Sequence, residues 1–157
     1  MRFKQRLLWW GLAAAVLAVA AISSISAFVQ APHIVVKDQH NGTVYYSAPV
    51  KQGMTVTLSW IHSIEHQPWT ETYIVDNNEF ILKEISVKSY GAGVPANPGG
   101  VTTVEDGVIH VRGLNQRFND LKWVHSHDTN YTVRVGDHLI QTEDIDHHAF
   151  VELSIKE

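Results

Sequence analysis

Alternation of polar and apolar residues fills most of this chain after its first thirty positions, and this period of two restricts the fold more than any other feature. Nine segments alternate or run apolar and are rich in Val, Ile, Thr, Tyr and Trp, which favours β-strands. These segments are 33–37, 43–47, 55–62, 70–75, 80–88, 108–112, 121–125, 131–135 and 150–155. Beyond the N-terminal segment, no stretch sustains a helical period for ten residues.

Short turn signals separate these segments. They are Asn41-Gly42, Asn77-Asn78, Asp106-Gly107 and Gly136-Asp137. Such pairs tolerate the positive φ angles that tight hairpin turns need. Residues 114–120 are expected to form a more polar connection. The pattern predicts an all-β domain, an antiparallel β-sandwich or a small barrel of hairpins, and it leaves the strand order open.

An uncharged segment at residues 7–29 follows three basic residues within the first six positions. Its 23 residues would form a helix of roughly 34 Å, long enough to cross a bilayer core. The basic flank predicts that the rest of the chain lies outside the cytoplasm. We therefore interpret residues 1–30 as an N-terminal signal anchor with one transmembrane helix. Residues 31–157 are then a β domain in the periplasm or extracellular space, held at the cytoplasmic membrane.

A cleaved signal peptide is the alternative for the same segment. Ser24 and Ser26 are small residues at the −3 and −1 positions of a cut before Ala27. The apolar run is longer than that of a usual signal peptide, which favours the anchor. The chain has no cysteine, so it has neither a lipid-modified cysteine nor a disulfide.

The β domain is acidic. Nine of the 12 Lys and Arg residues and all 16 Asp and Glu residues follow the apolar segment, which gives it a net charge of −7. All ten His residues lie there too. A mean negative field repels phosphate, so nucleic acid is excluded as a partner.

Two stretches 63 residues apart repeat one pattern: residues 58–65 read LSWIHSIE, and residues 121–128 read LKWVHSHD. The repeat suggests two similar hairpins that bring together two imidazoles, two hydroxyls and two carboxylates. Trp and His are two positions apart in each copy, so on a strand they share a face. We predict a site that binds a ligand or a partner through His62, Ser63, Glu65, His125, Ser126 and Asp128.

Two other interpretations of the repeat stay open. In the structural one, Trp60 and Trp123 anchor the core and the histidines only cap its edge. In the catalytic one the carboxylates and imidazoles act as acids and bases, but adjacent Ser and His side chains diverge on a strand and make no nucleophile–base pair. We therefore predict no catalytic residues and no enzyme. The spacing His62-x-x-Glu65-His66 formally matches inverted zinc peptidases, but no helix pattern surrounds it.

A long loop at residues 90–100 carries Gly91-Ala92-Gly93. Gly-x-Gly can present backbone N–H groups to an anion or let a ligand approach closely. We add Gly91 and Gly93 to the predicted binding residues, and these N–H groups together with imidazole donors suit a carboxylate solute. A tight turn is the alternative. Residues 143–148, EDIDHH, are rich in metal-ligating groups, although a solvated loop is the simpler interpretation.

The order of these motifs resembles a bacterial family, domain of unknown function 1850 (DUF1850). The resemblance rests on Trp60, His62, Ser63, Glu65, Pro68, Glu71, Gly91, Ala92, Gly93, Leu121, Trp123, His125 and Ser126. Members look like small exported proteins, often encoded beside tripartite ATP-independent periplasmic (TRAP) transporters of the TAXI type. The family implies no activity or cofactor. It implies an accessory component that contacts a TAXI-type solute-binding protein or a TRAP permease.

The predicted function is therefore a membrane-anchored extracytoplasmic binding or interaction module without a cofactor. The alternative is a periplasmic protein that binds a metal through His and carboxylate groups, with or without hydrolytic activity. The sequence leaves the solute and the existence of a metal site unknown.

Overall fold

Residues 32–89 and 99–156, which the computed structural model describes, form eleven β-strands and two short 3-10 turns. The strands are β1 His33–Asp38, β2 Val44–Pro49, β3 Thr55–Ile61, β4 Pro68–Asp76, β5 Glu79–Val87, β6 Val101–Glu105, β7 Val108–Phe118, β8 Asp120–Val124, β9 Thr132–Val135, β10 His138–Leu139 and β11 Phe150–Lys156. The 3-10 turns are His127–Thr129 and Thr142–Asp144. The prediction of an all-β domain is confirmed.

The strands pair into two sheets in which every pairing is antiparallel. One sheet has four strands in the order β2-β1-β11-β8. The other has seven strands in the order β10-β9-β3-β4-β5-β7-β6. Consecutive hairpins build β3-β4-β5 and β6-β7, whereas β8 and β9 join different sheets although they are neighbours in sequence.

The hydrophobic core is built by alternate residues of both sheets. The four-stranded sheet supplies Ile34, Val36 and Leu153, all fully buried. The seven-stranded sheet supplies Val56 and Phe80, also fully buried. Burial of every second side chain along β1 and β3 is the pattern expected of strands with one face inside, so the period of two in the sequence reports this core.

The predicted turn pairs adopt the backbone that their residue types allow. Gly42, Gly107 and Gly136 have φ of 77°, 75° and 57°, and Asn77 and Asn78 have φ of 52° and 60°. The asparagine and glycine residues reach this region at low cost. These turns fix the registers of β4-β5 and β6-β7.

The expectation of a polar connection at residues 114–120 is wrong. Strand β7 continues through Phe118, which pairs with Phe80 of β5. Gly113 and Asn115, at φ of 77° and 54°, accommodate a register shift that keeps the strand paired beyond it. Asn119 alone separates β7 from β8 in the other sheet.

Among the residues that the structure describes, no helix is long and apolar enough to cross a bilayer. The predicted signal anchor at residues 1–30 lies outside the described residues. So do Gly91 and Gly93 of the predicted binding loop.

Gly100 is predicted to tolerate substitution less well than its neighbour Gly99. Both have positive φ, 75° and 77°, so alanine costs about 1 kcal/mol at either position. At Gly100 an added Cβ would also lie 2.2 Å from the Arg112 carbonyl oxygen, which forces β6 away from β7. In urea unfolding we expect Gly100→Ala to lower the free energy of unfolding by about 1 kcal/mol more than Gly99→Ala. Equal losses would contradict the close approach.

Candidate functional site

The two repeated tryptophans approach each other from facing sheets. Trp60 lies on β3 of the seven-stranded sheet, and Trp123 lies on β8 of the four-stranded sheet. Both stack on Tyr131, with ring centroids 5.5 Å and 5.0 Å away and interplanar angles of 11° and 8°. The repeat therefore does converge, through its indoles and a tyrosine between them.

This convergence follows from different chain paths after the two copies. The first copy leads into the β3-β4 hairpin. After the second copy the chain leaves the four-stranded sheet and joins β3 as β9, so the expected second hairpin is wrong. Ser126 caps the 3-10 turn by accepting from the Asp128 N–H, and Asn130 ends the turn with a φ of 48°. Tyr131 follows at once and reaches the inner face beside Trp60.

The stack continues across the seven-stranded sheet. The Trp69 ring lies 5.8 Å from Trp60, and the His62 ring lies 5.7 Å from Trp69. We call these five side chains, His62, Trp69, Trp60, Tyr131 and Trp123, the aromatic row. Offset stacking of this kind contributes about 0.5–1.5 kcal/mol per pair beyond the area buried. The row therefore fixes the relative position of the two sheets at this end.

A cavity of about 560 Å³ opens beside the row, and we call it the inter-sheet cleft. It is lined by Leu58, Trp60, His62, Ser63, Trp69, Glu71, Tyr73, Phe118, Asp120, Leu121, Lys122, Trp123, Val124, Thr129 and Tyr131. Its volume lies within the range of small-molecule sites, about 300–1,000 Å³. All three tryptophans of the described residues line it.

Glu71 is a residue of the cleft that the sequence interpretation did not place in the site. It lies on β4 between Trp69 and Tyr73 on the same face, and it pairs with Leu58 of β3. Its carboxylate accepts from Trp69 Nε1 at 3.1 Å and from the Tyr73 hydroxyl at 2.6 Å. The sequence could have indicated this position, because alternation along β4 places Glu71 on the same face as Trp69 and Tyr73.

The two buried tyrosines of the site are held neutral. Burial raises the pKa of Tyr73, and the Glu71 carboxylate raises it further. Burial also raises the pKa of Tyr131, again with a contribution from Glu71. Both phenols therefore serve the cleft as neutral groups, and Tyr73 acts as a hydrogen-bond donor to Glu71.

Two of the three predicted residues in the first copy line the cleft. His62 stacks on Trp69, and its Nδ1 accepts from the backbone N–H of Glu65 at 3.3 Å and of Ile64 at 3.4 Å. Ser63 is exposed at the cleft. Glu65 belongs to the turn between β3 and β4 and does not line the cleft. The orientation of His62 is thus fixed by the turn that follows it.

The predicted residues of the second copy lie elsewhere. His125 and Ser126 line a second pocket of about 340 Å³, and Tyr131 borders both cavities. The second pocket is lined by His125, Ser126, His127, Asn130, Tyr131, Thr132, Thr142 and Glu143. Asp128 is 87% exposed and lines neither cavity. The two tryptophans of the repeat thus share a cleft, and the two histidines do not.

His125 is buried, with 1% of its surface exposed. Among the described residues neither ring nitrogen has a hydrogen-bond partner, and the ring meets Tyr131 and His127 edge-on. Burial lowers the pKa of His125, and the imidazoles of His127 and His147 lower it further. The nearby backbone of Thr142 acts in the opposite direction and raises the pKa of His125. The geometry of this contact is not that of a hydrogen bond.

Further imidazoles gather outside the second pocket. The His127 N–H donates to His147 Nδ1 at 3.2 Å, and the His147 and His148 rings lie 3.9 Å apart. His127 Nε2 contacts the Ile145 carbonyl at 2.9 Å. Within residues 32–89 and 99–156, no group of three His, Cys, Asp or Glu side chains has an arrangement that could hold a metal ion.

Comparison with known proteins identifies the family. The model described as "Domain of unknown function (DUF1850)" matches residues 56–141, more than half of the chain, so the chain belongs to this family. The matched segment includes every residue that lines the inter-sheet cleft. No curated protein and no solved structure matches the chain.

His125→Leu is predicted to remove part of the acid sensitivity of the fold. Because the pKa of folded His125 lies below its usual 6.5, the unfolded chain binds more protons below that pH, and stability falls as the pH drops. This loss is at most about 1.4 kcal/mol per pH unit. At pH 7.5 the variant should unfold within about 1 kcal/mol of wild type, because the replaced ring nitrogens have no partners to lose.

Urea unfolding at pH 7.5, 6.5 and 5.5 measures this effect. The matched control is His66→Asn, since His66 is exposed and asparagine tolerates its φ of 51°. The control should keep the slope of wild type. A His125→Leu slope equal to that of wild type would contradict a buried neutral imidazole.

Proposed function

We propose that this protein is a binding module whose inter-sheet cleft holds a small organic solute. The observation that carries the proposal is the composition of the cleft. Three tryptophans and two tyrosines wall a cavity of about 560 Å³, and a hydrogen-bonded carboxylate, Glu71, lies on its inner surface. A mainly aromatic wall with few fixed polar groups is typical of small-molecule sites.

The exposure of the tryptophans supports binding over a purely structural role. Trp60 and Trp123 are only half-buried, although each stacks on Tyr131. Core anchors of a sandwich are normally enclosed on all sides, as Phe80 is in this domain. Indole surface left open to a cavity gains about 25 cal/mol per Å² when a ligand covers it.

The chemistry of the cleft supports binding without catalysis. His62 Nδ1 accepts from two backbone N–H groups, and hydrogen bonds from Trp69 and Tyr73 fix the orientation of the Glu71 carboxylate. Among the described residues of the cleft, no hydroxyl is hydrogen-bonded to an imidazole, as an activated nucleophile would be. We therefore propose that the protein is not an enzyme.

We further propose that the domain acts at the outer face of the cytoplasmic membrane as an accessory component of a TAXI-type TRAP transporter. The apolar N-terminal segment and the family resemblance support this role. Two exposed apolar side chains near the cleft would suit a partner: Val124 lines the cleft, and Ile64 follows Ser63. The partner would be the solute-binding protein or the permease.

Ligand binding is predicted to stabilise the domain through the cleft. We would heat the full chain in detergent with a panel of small amines, polyols, carboxylates and aromatic compounds. At a hundred times its dissociation constant a bound probe adds about 2.7 kcal/mol, which raises Tm by roughly 5–10 °C. Trp123→Leu should abolish that shift, because it removes one wall of the cleft.

The control for this experiment is Phe150→Leu, which changes an exposed aromatic residue outside the cleft. It should keep the shift of wild type. A shift that survives in Trp123→Leu, or a panel in which no probe stabilises wild type, would refute the binding module. Co-purification with the solute-binding protein and permease, compared for wild type and Ile64→Asp, tests the partner separately.

A further inference from the structure

We propose that the inter-sheet cleft selects an organic cation, a small solute with an alkylammonium or guanidinium group that binds the Glu71 carboxylate. This inference rests on the proposed function, since it names the class of solute for the same cleft. Four observations carry it: the position of Glu71, its hydrogen bonds, the other charges of the cleft and the aromatic wall.

Glu71 is a carboxylate on an otherwise apolar face. Its neighbours on the inner face of β4 are Trp69 and Tyr73, which are 8% and 4% exposed. Leu58, which pairs with Glu71 from the neighbouring strand β3, is 4% exposed. Glu71 itself is half-buried, and a partly buried charge costs free energy unless hydrogen bonds or another charge compensate it.

Only neutral donors hold Glu71. Trp69 Nε1 and the Tyr73 hydroxyl each give it one hydrogen bond. Among the described residues, no Lys, Arg or His forms an ion pair with it. A carboxylate offers about four acceptor positions, so two remain for a ligand. The two neutral donors orient the carboxylate but do not neutralise its charge, which a cation bound in the cleft would do.

The other charged residues of the cleft add no free positive charge. Lys122 Nζ lies 2.8 Å from Asp120 Oδ2 and 3.8 Å from Glu152. The lining therefore combines two carboxylates with one paired cation. An anionic solute would meet the field of Glu71 with no cation to receive it. The carboxylate solute expected from the glycine loop thus does not suit these residues.

The aromatic wall suits the same class of ligand. The faces of Trp and Tyr attract a cation that lies within about 6 Å of the ring, and sites for quaternary ammonium groups are commonly built from such rings. Trp60 and Trp123 are half-buried at the cleft and stack on Tyr131. A carboxylate beside open indoles distinguishes a cationic solute from a neutral one of equal size.

The decisive test compares two probes that differ only in charge. Choline and 3,3-dimethylbutan-1-ol have the same shape, with a quaternary nitrogen in one and a carbon in the other. Binding is measured by calorimetry on the full chain in detergent. We expect choline to bind at least about ten-fold more tightly, which corresponds to about 1.4 kcal/mol. Equal affinities would overturn the charge selection while leaving the binding module intact.

Two substitutions test whether the Glu71 carboxylate is the group that selects a cation. Glu71→Gln keeps an acceptor for Trp69 and removes the charge, so it should reduce the ratio of the two affinities to near one. Asp137→Asn removes the same charge from an exposed turn outside the cleft and should keep the wild-type ratio. A ratio unchanged by Glu71→Gln would overturn the assignment. If that variant does not fold, the ratio of the two affinities in wild type still decides whether the cleft selects a cation.

Two further probes show whether the cationic group belongs to a small solute or to the side chain of a partner protein. Agmatine presents a guanidinium group on a small solute, and a blocked Gly-Arg-Gly peptide presents it as a protein side chain. Tighter binding of agmatine supports a solute, whereas binding of the peptide alone overturns it in favour of a partner's arginine. If neither choline, its neutral isostere nor agmatine binds, this inference is overturned, and the wider panel of the stabilisation experiment decides on the binding module.

Discussion

The stacking of Tyr131 between two tryptophans of facing sheets is the contact on which the rest of this end of the molecule depends. Trp60 comes from the seven-stranded sheet and Trp123 from the four-stranded sheet, and Tyr131 touches both. Tyr131 also lines both the inter-sheet cleft and the smaller pocket. One side chain therefore contacts both sheets and borders both cavities.

The site combines groups that a stable core would avoid. Glu71 lies among buried aromatics and is held by neutral donors, and His125 is buried with no partner for its ring nitrogens among the described residues. Each arrangement costs free energy compared with an apolar residue of similar shape. For Glu71, the cation binding that we propose would offset this cost. For His125 the predicted consequence is a fold that loses stability as the pH falls.

Alternation predicted nine of the strands and missed two that are mostly exposed. All nine predicted segments fall on strands of the structure. Strands β6 and β10 were missed because β6 is mostly exposed on both faces and β10 is fully exposed. Without a buried face a strand has no reason to alternate. The extension of β7 was missed because the polar residues at 114–120 were interpreted as a connection, whereas Gly113 and Asn115 permit a shift of register within the strand.

The sequence alone determined the all-β class, the turns and the parity by which Trp60 and Trp123 face inward, because these depend on residues near each other in the chain. Only the tertiary structure decided which sheet each strand joins, since pairing partners lie far apart in sequence. The second copy of the repeat passes from β8 to β9 across the sandwich, so its tryptophan shares the cleft and its histidine does not. Glu71 became a site residue for the same reason: its setting is created by strands that the local pattern cannot pair.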